Sequence, residues 1–555
     1  MRHLLRALTW GTWGTCVLGS VFWGPALCQA APFTSTNRTI LSANTGAFPI
    51  DGVQLGSTRF INRGLQGVGR IAANSIDAAT GESLGSISDM QIHSFARQSD
   101  GSYTGVFEFL PDRGYNSGSV FSNYAARINT FDFSFNPHTS SATTTAQNQI
   151  LSTFRGSTRF TYDHDANSAT PGIYTTGLLA NGVGTLLGRS IPVVTGNTTQ
   201  SDGTFAGRMT VDAEGFVLDN RAGQQGTGWL SDEYGPNIYR FNANKEIVGV
   251  LGLPEAVIPH NSNGTTIDYS SDPPSKGRRT NQGMEGLAQS PSGNRLFGLL
   301  QSALVQDSGA GNVGRSNTRL VVYDLSDSDV PSGPSEQYVI QLPLIDDNGS
   351  TGGAVANRTG AQSAILALND HQILILSREG NGRGASGAPV FKSILLADLN
   401  GATNIDGLYD GGLDQVAPSG ALRPAITPLS WVEALNLLGK LDLNITELEQ
   451  FGINLNTAPG DINTLSEKWE ALSLVSALDP TRPHDYFLFV GNDNDFTTRS
   501  GVYMKADGTL GTYDSTIDND SMILAFRVSA VPEPGAVLLS LVGLAGLLRL
   551  RRRGR

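Results

Sequence analysis

A chain of 555 residues with 66 Gly, 39% apolar residues and only 16% charged residues is too rich in turn formers for a helical protein, and fits an all-β one. Its formal net charge of −12 argues against nucleic acid or an anionic lipid surface as partner and is compatible with divalent cations. Both cysteines, Cys16 and Cys28, fall in the first 30 residues, so the remainder has no disulfide, no thiol nucleophile and no thiolate-bound metal.

In chain order, residues 1–30 read as a secretory signal peptide. Arg2 and Arg6 precede an apolar segment through 17–23, and small residues stand at Cys28-Gln29-Ala30. Lipidation of Cys28 is the alternative, disfavoured by Leu27 where a small residue is needed. Residues 31–60 read as an N-terminal leader and 61–530 as one body of short strands. Strand runs begin at 64–69, 106–110 and 128–133, a Ser/Thr-rich loop follows at 139–149, and strand signals weaken over 150–205. Clearer units span 206–255, 281–345, 364–396 and 468–526. Between 428 and 455 the period changes. Ser430-x-x-Glu433 and Thr446-x-x-Glu449 are capping boxes before leucine-rich runs, and Gly452 marks a stop, so this stretch predicts a small helical insertion.

One pattern recurs: a carboxylate in a Gly-flanked turn, a short strand, a turn, then a strand closed by polar residues. It occurs at Asp212-Ala213-Glu214-Gly215 before Ser231-Asp232-Glu233, at Gly283-Met284-Glu285-Gly286, and at Lys468-Trp469-Glu470 before Asn492-Asp493. Units of three or four strands repeating in this way predict a β-propeller of five to seven blades, six favoured. Corresponding strands of a propeller deliver their ends to one face. Asp112-Arg113, Asp232-Glu233, Arg378-Glu379 and Asp493-Asn494-Asp495 would therefore converge there with Glu214, Glu285 and Glu470. Such a density of acid calls for hard divalent cations bound through oxygen, with Arg113 and Arg378 pairing with acids or orienting an anionic substrate. Turn chemistry is the competing explanation for any single Asp or Asn in the set. Neither a Gly-x-Ser-x-Gly elbow nor a His-x-x-x-His pair occurs.

Two resemblances add to this reading. Val531-Pro532-Glu533-Pro534, an apolar run over 536–548 and an Arg cluster from Arg549 to the end resemble the PEP-CTERM sorting signal of Gram-negative bacteria, assigned to 531–555. It implies export, membrane tethering through that segment until an exosortase removes the tail, and delivery to the cell surface or the extracellular polysaccharide matrix. An ordinary C-terminal anchor is the alternative. Without the two ends, the body carries a net charge near −18. The motifs Asp-Ala-Glu-Gly, Ser-Asp-Glu-Tyr-Gly-Pro, Asn-x-Gly-Met-Glu-Gly-Leu-Ala, Leu-x-x-Arg-Glu and Asn-Asp-Asn-Asp-Phe resemble the bacterial "esterase-like activity of phytase" domain over roughly 60–528. That resemblance implies a propeller-like fold and hydrolysis of phosphate or carboxylic esters. Ser377, where an acid would precede Arg378, and Ala471, where Gly would follow Glu470, depart from its pattern.

Together these readings give a metal-dependent phosphoesterase with Ca²⁺ as the expected ion. Glu214, Glu285, Arg113 and Arg378 would be its catalytic groups, and Asp212, Asp232, Glu233, Glu285, Asp493 and Asp495 its metal ligands. The rival reading is a non-catalytic surface or matrix-binding propeller.

Overall fold

The computed structural model describes residues 39–40 and 52–532, apart from 119, 141, 145, 165–171, 196–206, 262, 271–272, 346–357, 386, 440–446 and 456–460. The expected signal peptide and most of the C-terminal signal lie outside these residues, as does the capping residue Thr446. No helix among the described residues is long and apolar enough to cross a membrane. The only helical elements among them are 3-10 turns of three residues.

Twenty strands carry the fold. β1 (Thr58–Ile71) comes first. β2 (Asp89–Arg97), β3 (Tyr103–Leu110), β4 (Arg127–Phe135) and β5 (Ile150–Arg159) form the first antiparallel blade. β6 (Ala213–Leu218), β7 (Gly228–Asp232), β8 (Ile238–Phe241) and β9 (Glu246–Val250) form the second. β10 (Met284–Gln289), β11 (Arg295–Leu300), β12 (Asn317–Asp324) and β13 (Glu336–Gln341) form the third. The fourth holds β14 (Ala361–Ala367), β15 (Gln372–Arg378), β16 (Lys392–Asp398) and β17 (Ser430–Asn436). The fifth holds β18 (Lys468–Ser476), β19 (Asp485–Asp493) and β20 (Ser521–Pro532), with β1 from the other end of the chain as its fourth strand; Gly69 of β1 pairs in parallel with Ile150 of β5, which joins the fifth and first blades at their outer edges. That last pairing runs antiparallel from Thr58↔Pro532 to Ile71↔Ser521.

The innermost strands β2, β6, β10, β14 and β18 neighbour one another in that cyclic order, and β18 returns to β2. Side-chain packing between blades closes the ring. Each of the five junctions has its own apolar cluster: Phe160, Phe216 and Tyr239 with Leu110 and Ile128 between the first and second blades, for example, and Leu374, Leu376, Leu488 and Val490 between the fourth and fifth. The alternation along β15 shows why its sequence reads as an unbroken apolar run. Leu374 and Leu376 face the fifth blade while Ile373 and Ile375 face the third, so both faces are buried.

The fold is therefore the expected all-β propeller, at five blades among the described residues. No sixth blade forms among the described residues, those of 150–205, where the strand signals weaken, included. Thr161–Tyr162 and Ile173–Tyr174 extend the outer edge of the second blade, and Gly182–Leu186, Arg189–Val194 and Arg208–Met209 make a separate three-stranded sheet. The body also begins before the expected boundary at 61, because Val53–Leu55 already pairs with β1.

The helical insertion is corrected. Ser430 and Glu433 lie in β17, paired with β16 from Asp398↔Ser430 to Ser393↔Asn436. Glu433 accepts a 2.6 Å bond from Ser393 Oγ. Burial of Trp431, Val432, Ala434 and Leu435 outweighs the capping signal, since the blade edge offers these side chains an apolar surface and a hydrogen-bond ladder together. Farther on, only Glu449–Phe451 winds among the described residues, as a 3-10 turn, and it does end at Gly452, with φ 72°.

Candidate metal and hydrolytic site

The recurring carboxylate has a structural cause. In four blades the ladder between the innermost strand and its neighbour slips at the same point: Ala213/Phe216, Met284/Gly286, Gln362/Ala364 and Trp469/Ala471. The residues set out by these bulges are Glu214 with Gly215, Glu285, Ser363 and Glu470. A β-bulge leaves its extra residue outside the ladder and re-aims its side chain, here to one mouth of the ring. In the first blade Asp89 serves its neighbour instead, accepting from Phe216 N at 2.8 Å and from Met90 N at 2.8 Å.

Glycines let the inner strands approach closely enough for this. A Cβ on Gly283 would lie 1.9 Å from Glu233 O, and one on Gly286 2.8 Å from Gln362 Oε1. Gly283→Ala is therefore expected to lower stability by about 1–3 kcal/mol and to displace Glu233. Chemical denaturation together with cation titration would register both effects, and an unchanged midpoint would contradict the close approach. Ala471 is tolerated where Gly was expected because it packs into the apolar junction with Ile87 and Met90 of the first blade. Ser377, the other departure, donates to Gly360 O at 2.7 Å within its own blade.

The second strands supply the remaining groups. Asp112 and Arg113 follow β3, Asp232 and Glu233 close β7, Gln301 follows β11, Arg378 ends β15, and Asp493 ends β19 with Asp495 just beyond. Three groups of carboxylate oxygens lie within 4.8 Å of one another: Asp112, Asp493 and Asp495; Asp112, Asp212 and Glu214; Glu214, Glu233 and Glu285. Asp112 and Glu214 are each shared by two groups, so the three form one continuous acidic band.

Cations counter part of this charge. Arg113 Nη1 meets Asp212 Oδ2 at 2.8 Å, and its Nη2 donates to Asn281 Oδ1 at 2.9 Å. Arg378 pairs with Glu470. Lys468 Nζ lies 2.5 Å from Asp493 Oδ2, 2.9 Å from Asp495 Oδ1 and 3.7 Å from Glu470 Oε1. Even so, Asp212 Oδ1, Glu233 Oε1, Glu285 Oε2 and Glu470 Oε2 are buried without a hydrogen-bond partner, as are Nε of Arg113 and of Arg378. Buried carboxylate oxygens left unpaired are costly and rare, and these groups could hold a metal ion.

Burial pushes the Asp212 carboxyl up to about 6 against the pull of Arg113, and it pushes Glu233 up to about 7 in the same way. Asp112, Glu214 and Glu285 are held well above the carboxylate range, by burial first and by neighbouring acids second. The guanidinium of Arg378 is displaced upward, because Glu470 and Glu285 outweigh its own desolvation. Such displacements collect where acid–base chemistry or cation binding is arranged.

Of the sequence candidates, Asp212, Glu214, Glu233, Glu285, Arg113, Arg378, Asp493 and Asp495 come together at this mouth. Asp232 does not offer a free oxygen. Its Oδ1 accepts from Asp212 N at 3.0 Å and Tyr234 N at 2.9 Å, and its Oδ2 from Tyr239 Oη at 3.0 Å. It scaffolds the turn that presents Glu233. Glu379 is turned away, bonded to Lys392 Nζ at 3.2 Å. The sequence placed Asp112 at the shared face without a role and did not mark Gln301 or Lys468 as part of it. Asp112 was visible next to Arg113, Lys468 was visible two residues before Glu470, and nothing local marked Gln301, which donates to Glu285 Oε1 at 2.8 Å.

Comparison with known proteins places this geometry in context. A secreted protein of the fungus Arthroderma benhamiae, with no assigned activity, is 30% identical over 483 residues, covering 80% of this chain and 89% of its own length. Among solved structures, a luciferin-regenerating enzyme aligns over 83% of this chain and 95% of its own at 9% identity and a TM-score of 0.24. The periplasmic gluconolactonase of Pseudomonas aeruginosa aligns over 85% of this chain and 80% of its own at 9% identity and a TM-score of 0.19. Neither structural likeness is close enough to bear on function. The family model of the phytase-like proteins, described as esterase-like activity of phytase, matches residues 95–496, which run from the first blade through the Asp493–Asp495 turn. The chain belongs to that phytase-like family.

Proposed function

We propose that this protein is an exported hydrolase of phosphate esters that works with a divalent cation, Ca²⁺ foremost, at the acidic mouth of the propeller. The observation that carries the proposal is the set of four buried carboxylate oxygens without partners, on Asp212, Glu233, Glu285 and Glu470. Their donor chemistry fits the cation: oxygen only, anionic, and contributed by several blades. Glu214, Glu233 and Glu285 are the residues that would hold it, with the Arg113-paired Asp212 beside them.

A cation held there supplies Lewis acidity, neutralising ester oxygens and making water a stronger nucleophile. The chain supplies the rest. Arg113 and Arg378 each keep an unpartnered Nε at the mouth and can take the oxygens of a phosphate in directional bonds. Glu233, pushed up to about 7 in the cation-free protein, gives up its proton as the cation binds near neutral pH. The surrounding apolar junctions exclude bulk water and strengthen each of these interactions.

Export rests on the sequence of the two ends, and the secreted fungal relative supports it. Exosortase processing and a surface or matrix destination rest on the C-terminal sequence pattern alone. A purely adhesive propeller would have each acid paired, and the four unpartnered oxygens weigh against that reading.

The full-length chain is expected to release phosphate from phytate and from an aryl phosphate in Ca²⁺, and to stop on chelation. Hydrolysis of an aryl acetate but neither phosphate would move the reaction to carboxylic esters. No hydrolysis of any of them, with or without Ca²⁺, would overturn the catalytic reading.

A further inference from the structure

The three acid groups are not equivalent. At the Asp112–Asp493–Asp495 end of the band, Lys468 already stands where a cation would. Its ammonium touches Asp493 Oδ2 and Asp495 Oδ1 at 2.5 and 2.9 Å, with Glu470 Oε1 at 3.7 Å. The other oxygen of Asp493 accepts Asp495 N at 2.7 Å, so no oxygen of Asp493 is left over. That backbone bond holds a turn in which Asp495 and Phe496 both adopt left-handed φ, 52° and 53°, a conformation a non-glycine residue keeps only when its surroundings enforce it. The turn fixes Asp495 over the lysine.

The middle group is partly satisfied in the same way, because Arg113 binds Asp212 through its side chain and Asp112 through its backbone N–H. Among the described residues Asp112, Glu214, Glu233 and Glu285 have no cationic side chain within ion-pair distance, and of these Asp112 is already bonded to the Arg113 backbone N–H. Glu214 is buried with a carboxylate oxygen within 4.8 Å of those of Glu233 and Glu285, and Glu233 Oε1 and Glu285 Oε2 are buried and unpartnered.

The position of Lys468 in the repeat sharpens the contrast. It precedes the bulged Glu470 by two residues, as Asp212 precedes the bulged Glu214. The same place in two blades thus carries opposite charge. Asp212 adds to the acidic band, and Lys468 ends it.

We propose that Lys468 is a built-in counter-ion that keeps divalent cations out of the Asp112–Asp493–Asp495 group and confines them to the Glu214–Glu233–Glu285 group. This rests on the cation-binding part of the proposed function and goes beyond it by fixing where the ion sits and what limits its number. An ammonium and a Ca²⁺ ion cannot share these oxygens: Ca²⁺ requires contacts of about 2.3–2.6 Å, and the lysine nitrogen fills that space. Lys468 is a positioning residue in this account, and its effect is read in stoichiometry.

The test is Ca²⁺ binding to the full-length chain by equilibrium dialysis and calorimetry. Wild type is expected to bind one Ca²⁺, and Lys468→Gln two, with the second lost again in Lys468→Gln/Asp493→Asn. One Ca²⁺ in both wild type and Lys468→Gln, or two in wild type, would overturn the assignment. If wild type binds none while Lys468→Gln binds one, the counter-ion role stands and the cation-dependent function falls. If neither binds any, both fall. Should Lys468→Gln fail to fold, Asp495→Asn decides. Asp495 is 43% exposed, and as a non-ligand its loss is expected to change Ca²⁺ affinity by no more than about threefold. A loss of binding in that variant would overturn the proposal.

Discussion

Glu285→Gln is expected to abolish hydrolysis while making the cation-free protein more stable at alkaline pH. Glu285 is buried, its Oε2 has no partner, and burial together with Glu233 and Glu470 holds its carboxyl well above the usual range. Wild type must ionise this acid as pH rises, or keep a proton on it at growing cost. Glutamine has the same shape, can still accept from Gln301, and never carries the charge. The two proteins should melt together near pH 5 and diverge in the variant's favour above pH 7, by about 1–3 kcal/mol at most. Turnover in Ca²⁺ should fall on the order of 10³-fold, because the variant loses a charge that acts where water is excluded. Thermal melts at the two pH values and a phosphate-release assay would check it. A variant that is less stable at pH 8, or that keeps its activity, would remove Glu285 from the account.

The second large effect is a stability profile that runs opposite to ordinary acid denaturation between pH 4.5 and 8. Asp212 rises from 3.8 to about 6 and Glu233 from 4.5 to about 7, with Asp112, Glu214 and Glu285 displaced the same way. A raised carboxyl makes the folded state bind protons more tightly than the unfolded chain. Stability is then fully present below the unfolded value and is lost as pH climbs through the folded one. At roughly 1.4 kcal/mol per unit of displacement, Asp212 and Glu233 together account for a few kcal/mol. The cation-free protein should therefore melt at a lower temperature at pH 8 than at pH 5. Calcium should reverse this, since it competes with protons for the same oxygens. Its stabilisation should be near zero at pH 5 and reach about 2.7 kcal/mol at pH 8 when the ion is at a hundred times its dissociation constant. Melts at several pH values, with Ca²⁺ and with a chelator, would show the two curves meeting near pH 5 and separating toward pH 8. Parallel curves would contradict it.

Much of this architecture could be read from the sequence because a propeller repeats its signals. Apolar runs such as Gln372–Arg378 and Asp485–Asp493 marked the strands, and the recurrence of Glu214, Glu285 and Glu470 marked a shared mouth. The bulges that aim those acids were not legible, since nothing in the residues flanking Glu285 distinguishes a bulge from a regular pair. The helical reading of 430–436 failed for a related reason. A leucine-rich run with a Ser-x-x-Glu start suits a helix, but it suits a blade edge buried on both faces equally well, and the apolar surface of β16 decides. Strand signals weaken over 150–205 because several of its strands are short, two residues each at Thr161–Tyr162 and Ile173–Tyr174, and join the edge of another blade or a separate sheet. The role of Lys468 depends on Asp493 and Asp495, which follow it by 25 and 27 residues, so only the closed fifth blade reveals it.

The central claim is that a divalent cation sits among Glu214, Glu233 and Glu285 at the mouth of a five-bladed ring. A crystal structure grown with Mn²⁺, with data collected at its absorption edge, would locate the ion directly. The account predicts one anomalous peak within about 2.0–2.3 Å of carboxylate oxygens of these three residues, with Lys468 still bound to Asp493. A peak at Asp493 with the lysine displaced, or no peak anywhere in the acidic band, would contradict it.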